Sequence, residues 1–521
     1  MGYSLNVITE DSKILNVNEF NKLREEFRVK GLKLVLCHGV FDLLHPGHII
    51  HLQQARGLGD ILLVSITAAE YVQKGPGRPY FSDDLRMKSI ASLSCVDYVI
   101  LSRTETALEI LDWVQPDLYV KGSDYEEIEN DLTRNIEREM EKVRSYGGEV
   151  HFTGGQVFSS TRLLNNEFPV LSAEAKEFLK EFSSRFSFDD IQGYIEKLQA
   201  VKILVVGDII IDQYVFCTVQ GLSSKDRVLS ALYEKTEEYS GGVLAIARHL
   251  AKFSNQVSLC TMTGNEPLIH SRILDELSSE ILLDLHCDSN FQTVIKRRYV
   301  ERRGIRNDYD KLFSINYIDA NGLNKKMDRN PFYEKLKKKI PDFDLVVLSD
   351  FGHGLVDDEV LEIVQNNARF MAVNCQTNSA NYGNNLISKY RRADTFTLDA
   401  RELKLAFSST SGDMDSQLQC LAGQLNSRMG WVTLGSRGAI GIGENDRLLK
   451  IPALTLEVQD TVGAGDAFFA IASLCTQAGV PLEVASFLAS IAGALAANIL
   501  GNSQAIEKVK LLKFASTLLN Y

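Results

Sequence analysis

No two of the eight cysteines in this sequence stand at C-x-x-C spacing; they are scattered along the chain. That argues against a disulfide framework of the secreted kind and for reduced thiols. There is also no excess of positive charge, since 56 Lys and Arg against 68 Asp and Glu leave a net charge of −12. A general nucleic-acid binder needs a basic surface against phosphate backbones, so that class is disfavoured, while local basic pockets for small phosphates remain open. Apolar runs of membrane length are missing too. The longest uncharged, largely apolar stretch, Val484 to Leu500, is short of the about 20 residues that a span needs. It is rich in Ala, Ser and Gly, and a buried helix is predicted there. The opening MGYSLNVITEDSK lacks a basic segment followed by an apolar one, so no signal peptide is read. A cytoplasmic protein without membrane or nucleic-acid partners is expected.

At 521 residues the chain is too long for one ordinary core, and two or three domains are expected. Its 45% hydrophobic and 24% charged residues fit a globular protein. The central feature is KLVLCHGVFDLLHPGHIIHLQQARGLG, Lys33 to Gly59. An apolar strand runs into a turn, and His45 and His48 fall on the first turn of a helix. Pro46 suits the first helical position, where its missing N–H would be unpaired anyway. Residues three apart share a helix face. A helix N-terminus offers free N–H groups and a positive dipole end to a phosphate. Two imidazoles at that spot can neutralise charge building on a triphosphate. Four of the nine histidines lie between His38 and His51. No cysteine or carboxylate pattern completes a zinc site.

From Lys33 onward, strand-like segments alternate with helical ones: Lys33–Cys37, Ile61–Thr67, Tyr98–Leu101, Leu118–Lys121 and Glu149–Phe152. This alternation predicts a parallel sheet covered on both faces, with ligands at the carboxyl ends of its strands. His45, His48, Lys121 and Asp124 each follow a strand closely. Ahead of them, Phe20, Leu23 and Phe27 at helical spacing predict a short amphipathic helix. Ser159-Ser160-Thr161 would cap a helix near Arg162. Residues 166–200 are charged and partly helical, without Gly/Ser or Pro runs, and read as a helical connector.

The HPGH motif, with Arg78-Pro79, Arg86-Met87-Lys88, Val96-Asp97-Tyr98-Val99, Pro116 through Tyr125 and Ser159-Ser160-Thr161, resembles the HxGH nucleotidyltransferase superfamily. It is most similar to the adenylyltransferase half of bifunctional heptose-phosphate kinase/adenylyltransferases, and more distantly to glycerol-phosphate and ethanolamine-phosphate cytidylyltransferases. The resemblance implies catalytic roles for His45, His48, Lys121 and Arg86. It implies nucleotide contacts from Gly39, Phe41, Lys74, Arg78, Gly122, Asp124, Ser159, Ser160 and Thr161.

A second set of motifs begins at Lys202, where a buried strand ends in Gly207-Asp208 and Asp212 follows. Gly241-Gly242 comes after a lid-like stretch read as poor in strands, and opens a helix Val243–Lys252. Leu345–Leu348 runs into Ser349-Asp350-Phe351-Gly352, and Trp431–Leu434 into Gly435-Ser436-Arg437-Gly438. Asp460-Thr461-Val462-Gly463-Ala464-Gly465-Asp466 opens a helix from Ala467. Small residues let backbone N–H groups curl around a phosphate at a helix start, forming an anion hole. A carboxylate beside that hole can take the proton from an attacking hydroxyl.

These motifs resemble the ribokinase-like sugar kinases over residues 201 to 510. The resemblance implies Asp466 as the base, and nucleotide contacts from Thr433, Gly435, Ser436, Gly438, Thr461, Gly463, Ala464 and Gly465. It places Asp208, Asp212, Gly241 and Gly242 on the sugar, and Glu402 near Mg²⁺. The basic cluster Lys296-Arg297-Arg298 with Arg302-Arg303 could take a substrate phosphate, with Arg298 as the candidate; a solvated basic strand is the other reading. The sequence departs from the family pattern at Ala245, His353, Asn374-Cys375-Gln376 and Asp399, and its two domains stand in reversed order.

The expected fold class is α/β with two Rossmann-like domains: an HxGH nucleotidyltransferase fold over 1–165, a connector over 166–200, and a ribokinase-like fold with a small lid over 201–521. The expected function is a bifunctional sugar-phosphate kinase and sugar-1-phosphate nucleotidyltransferase making an ADP-heptose-like product, using ATP and Mg²⁺. CTP with a polyol or sugar phosphate is an alternative for the first domain. A degenerate kinase acting as a binding or dimerisation module is the alternative for the second. A homodimer is expected from the resemblance.

Overall fold

The computed structural model describes residues 10–72, 78–104, 106–122, 135–153, 171–223, 228–277, 280–303, 308–319, 327–378, 381–408, 413–455, 458 and 460–520. The chain divides into two compact units, Met1–Val170 with Ser516–Tyr521, and Leu171–Ala515. Each is an α/β domain.

In the first unit, β1 (Ile14–Leu15), β2 (Leu34–Gly39), β3 (Ile61–Thr67), β4 (Tyr98–Ser102), β5 (Leu118–Gly122) and β6 (Glu149–Thr153) form one sheet. Its order is β1-β4-β3-β2-β5-β6 and every pairing is parallel. The five predicted strands are all present. Leu34, Val35, Leu36 and Cys37 are each fully buried, as a strand covered on both faces requires. The chain turns from one side of the sheet to the other between β2 and β5, and the carboxyl ends of those neighbours form the switch-point crevice. The predicted leading helix is Val17–Val29, closed at its start by a capping box of Asn16 and Glu19.

The second unit has a nine-stranded sheet in the order β11-β10-β7-β14-β15-β16-β17-β18-β19. Its members are β7 (Lys202–Gly207), β10 (Gln256–Thr263), β11 (Ile281–Cys287), β14 (Leu345–Asp350), β15 (Met371–Cys375), β16 (Thr395–Asp399), β17 (Met429–Thr433), β18 (Ala439–Ile442) and β19 (Leu448–Ile451). Pairings from β11 to β17 are parallel, and the last two are antiparallel. A second sheet, β13-β12-β8-β9, is built from β8 (Ile209–Leu222), β9 (Leu229–Gly242), β12 (Val294–Arg303) and β13 (Asp308–Tyr317).

The stretch before Gly241-Gly242, read as poor in strands, is in fact two fourteen-residue strands, β8 and β9. Charged residues such as Glu234, Lys235, Glu237 and Glu238 hid β9 from the apolar pattern. That strand is exposed along most of its length and is carried by backbone pairing with β8. The helix of the DTVGAGD motif begins at Ala464, three residues before the expected start. Val484–Leu500 is largely the buried helix predicted, Leu482–Ala496. Within 166–200, the helices Ala173–Arg185 and Phe188–Leu198 lie in the second unit. There the Phe182 and Phe487 rings stack with centroids 4.4 Å apart, and Arg185 pairs with Glu483 at 2.8 Å. Among the described residues, no helix is long and apolar enough to cross a membrane.

Candidate functional site

In the first unit, the helix Pro46–Arg56 starts directly beyond the carboxyl end of β2. His45 is its N-cap: the Nδ1 atom accepts the His48 N–H at 3.4 Å. That leaves the ring proton on Nε2, which is then a donor. The two imidazoles stack with centroids 3.9 Å apart, and Phe41 meets His48 edge-on at 5.4 Å. Phe41 takes a positive φ of 47°, which tucks its ring against Gly39; a Cβ at Gly39 would meet Phe41 Cε2 at 3.1 Å. Burial lowers the His45 pKa, which favours the neutral ring with its Nε2 proton at the helix N-terminus, where the dipole adds positive potential. Lys121, at the end of the adjacent β5, pairs with Glu139 at 2.9 Å, and Glu139 also accepts the Tyr119 hydroxyl at 3.1 Å. Burial together with the Lys121 charge lowers His38 to about 3 and His51 to about 4. These two rings bond hydroxyls instead, His38 those of Ser65 and Thr67 and His51 that of Thr153.

Arg86, expected to be catalytic, is engaged by protein groups. It is 1% exposed, and its guanidinium donates to the Val40, Thr67 and Phe81 carbonyls and to Asp83. With its donors turned to these three carbonyls and to Asp83, it braces the loops after β2 and β3. Arg78 faces Asp42 at 3.5 Å, and Asp42 also accepts the Tyr80 and Phe81 N–H groups. Gly122 ends β5. Lys74, Asp124, Ser159, Ser160 and Thr161 lie outside the described residues.

The second unit holds a cavity of about 300 Å³ between strand ends of the large sheet and the inner face of the small one. Asp466 lies on the first turn of the helix Ala464–Gln477, whose N-cap Gly463 has φ +86°. A Cβ at Gly463 would stand 1.6 Å from Asn502 Oδ1, so only glycine fits. Thr461, Gly463, Gly465 and Asp466 line the cavity. Gln376 Nε2 donates to Asp466 Oδ1 at 3.0 Å. Burial pushes the Asp466 carboxyl up to about 7; the Gln376 bond and Lys296 oppose the rise and Asp212 adds to it. A carboxyl poised there suits a general base at neutral pH.

Asp212 and Arg298 form an ion pair on the cavity wall, and Lys296 and Gly242 join them there. A Cβ at Gly241 would stand 2.5 Å from Asp212 Oδ2, which explains the first glycine of the pair. Asp208, expected on the sugar, does not line the cavity. It is 1% exposed and accepts the N–H groups of His353 at 3.3 Å and Leu355 at 3.0 Å, fastening the loop after β14. Gly435, Ser436 and Gly438 form the turn after β17 and do not line this cavity, whereas Thr433 does. Ala464 N–H bonds the Thr461 carbonyl at 3.4 Å, closing the glycine turn.

Glu402 and Asp399 make a capping box, and Glu402 also accepts the Thr377 N–H at 2.9 Å. Burial, with the Asp399 charge beside it, raises Glu402 to about 7. Among the described residues no group of three or more His, Cys, Asp or Glu could hold a metal. Mg²⁺ commonly takes one or two carboxylates and completes its shell with phosphates and water, and a single Glu402 on the cavity wall fits that use. Sequence reasoning missed Asn502 and Thr377; neither stands in a motif, and only folding brings them to the cavity. Asn374 and Gln376 were visible as departures, but their place on the cavity wall, with Gln376 bonded to Asp466, was not.

A glycine turn at a helix start, a buried carboxyl beside it and cations opposite define a phosphotransferase of the α/β class. The chain matches the pfkB family carbohydrate kinase over residues 200–508 and the cytidylyltransferase-like family over residues 36–184. It belongs to the pfkB family of carbohydrate kinases, and carries a cytidylyltransferase-like domain ahead of the kinase. It is 39% identical over 142 residues to the bifunctional protein HldE of Syntrophotalea carbinolica, which is 27% of this chain and 28% of that protein. It is 40% identical over 132 residues to HldE of Helicobacter pylori, 24% of this chain and 28% of that one. The match thus spans less than a third of those relatives' length. Among solved structures, phosphofructokinase-2 from Escherichia coli, in complex with potassium, covers 61% of this chain and 99% of its own at 13% identity and TM-score 0.47. Ribokinase from Thermotoga maritima covers 61% and 99% at 16% identity and TM-score 0.44.

Proposed function

We propose that this protein is a bifunctional enzyme of nucleotide-sugar synthesis, with a sugar-phosphate kinase in its second unit and a sugar-1-phosphate nucleotidyltransferase in its first. The observation that carries the kinase is Asp466, buried beside the Gly463–Gly465 turn at a helix start and facing the cavity. Asp466 takes the proton of an acceptor hydroxyl as that oxygen attacks the γ-phosphorus of ATP, and ADP leaves. Backbone amides of the turn receive charge on the transferred group. Glu402 would hold Mg²⁺, and the bound ion would supply further charge neutralisation.

In the transferase, the phosphate of a sugar 1-phosphate attacks the α-phosphorus of a nucleoside triphosphate in line, and pyrophosphate leaves. His45, His48 and Lys121 stabilise the charge at the helix start, and Arg86 holds their loops. An ADP-heptose-like product follows from the resemblance to heptose-phosphate enzymes. A cytoplasmic homodimer completes the reading, and the exposed apolar residues Leu232 and Phe313 on the four-stranded β13-β12-β8-β9 sheet, which is the lid sheet in this reading, favour a covered lid face.

A second reading for the transferase is CTP with a polyol or sugar phosphate, favoured by the cytidylyltransferase-like match. Phosphorus NMR with Mg²⁺ decides between them. One sample holds ATP with heptose and hexose phosphates, and the other holds ATP or CTP with sugar 1-phosphates. A new anomeric phosphate in the first and an ADP-sugar in the second are expected. A CDP product would overturn the adenylyl reading, and silence in the first across the panel would overturn the kinase reading.

A further inference from the structure

Asp460, six residues before the base, accepts four hydrogen bonds although it is only 5% exposed. Two come from the lid sheet: Tyr214 of β8 through its hydroxyl at 2.7 Å, and Lys311 of β13 through Nζ at 2.9 Å. The other two come from the backbone of the site, the Val462 N–H at 3.1 Å and the Gly501 N–H at 3.3 Å. Val462 belongs to the turn that leads into Gly463–Gly465. Gly501 precedes Asn502, the side chain against which Gly463 fits. One carboxylate therefore ties two lid strands to both segments that shape the anion hole.

The tie extends to the acceptor side. Tyr214 is fully buried, and the Arg298 guanidinium lies over its ring at 5.5 Å, while Arg298 itself pairs with Asp212 on the cavity wall. The Tyr239 ring meets Tyr214 edge-on at 5.3 Å and packs against Gly501. A buried carboxylate left without its donors is costly. Asp460 thus holds this arrangement only while the lid supplies the Tyr214 and Lys311 donors.

We propose that Tyr214 and Lys311 are positioning residues of the kinase, which act through Asp460 to hold the anion-hole turn in its working shape when the lid sheet is seated. Seating of the lid and assembly of the anion hole are then one event. The inference rests on the kinase reading of this site.

The test uses the full chain with Lys311→Met, Lys311→Arg and Tyr214→Phe. Lys311 is 42% exposed, so its substitution spares the core. Hydrogen exchange across residues 460–466 and 500–503 is expected to speed up about tenfold in Lys311→Met and Tyr214→Phe, with the helix 482–496 unchanged. The kcat for ATP-dependent phosphoryl transfer should fall about tenfold in both, with KM for ATP within about twofold, and Lys311→Arg should restore most of it. Unchanged exchange in both variants would overturn the proposal, as would unchanged kcat in the face of faster exchange. If the wild-type chain transfers no phosphoryl group to any acceptor, the kinase reading fails separately, and the exchange measurement still decides whether the lid residues hold the turn.

Discussion

Gln376 Nε2 donates a hydrogen bond to Asp466 Oδ1 at 3.0 Å, joining the end of β15 to the carboxyl that faces the kinase cavity. The donor is neutral, so it orients the carboxylate and lowers its pKa without cancelling its charge. Asp466 still stands at about 7 because burial outweighs that bond.

Gln376→Leu removes a bond that favours the charged carboxylate, so the Asp466 pKa rises further. The base is active when deprotonated, and the acid limb of the kinase profile therefore moves to higher pH. The shift is expected in kcat/KM against pH, by about one unit. An acid limb in the same place as in the wild-type chain would show that Asp466 does not set it.

Gly463→Ala forces a side chain into the left-handed region and onto Asn502 Oδ1. A loss of about 1–3 kcal/mol in the unfolding free energy of the second unit is expected by denaturant titration. Kinase turnover should fall with it, because the anion-hole turn can no longer close. Gly423→Ala, at an exposed helical glycine with nothing within 4 Å of the added carbon, is the control and should leave turnover unchanged and stability unchanged or raised by up to about 1 kcal/mol.

Asp466→Asn and His48→Ala should separate the two activities. The first should lower phosphoryl transfer by about 10²- to 10⁴-fold and leave pyrophosphate release intact. The second should lower pyrophosphate release by about 10²- to 10³-fold and leave the kinase intact. Coupled assays for ADP and for pyrophosphate read the two outcomes, and loss of both activities in either variant would contradict the assignment.

Glu139→Gln replaces the carboxylate that pairs with buried Lys121 at 2.9 Å by a neutral amide. Breaking a buried pair in this way costs about 3–5 kcal/mol, which should appear as a lowered melting temperature for the first unit. The Lys121→Met/Glu139→Gln double variant should be less destabilised than the sum of the single changes. Additive losses in that cycle would mean the two side chains do not interact.

The parallel sheet of the first unit was legible because β2, β3, β4 and β5 are apolar runs between helical segments, and burial on both faces demands that pattern. His45 and His48 were legible because a helix start dictates Pro46 and the three-residue spacing. The lid strands were harder. β9 is exposed along most of its length, so Glu and Lys interrupt its apolar residues, and it is carried by backbone pairing with β8, whose first nine residues are mostly buried. The partners of Arg86 and Asp208 were not legible, because a motif records that a charged residue is needed but not that it bonds the backbone of a neighbouring loop.

Local chemistry in the sequence alone determined the two α/β domains, the helix starts at Pro46 and Ala464, and the pairing of Asp466 with a glycine turn. These depend on residues within one or two turns of each other. Tertiary structure alone decided that Gln376, Asn502 and Asp212 surround that turn, and that Asp460 gathers Tyr214 from β8 and Lys311 from β13. Those partners stand 36 to 254 residues from Asp466 in the sequence, and nothing short of the sheet order brings them to one cavity. A carboxylate's role follows from which donors reach it, and burial and long-range packing choose the donors.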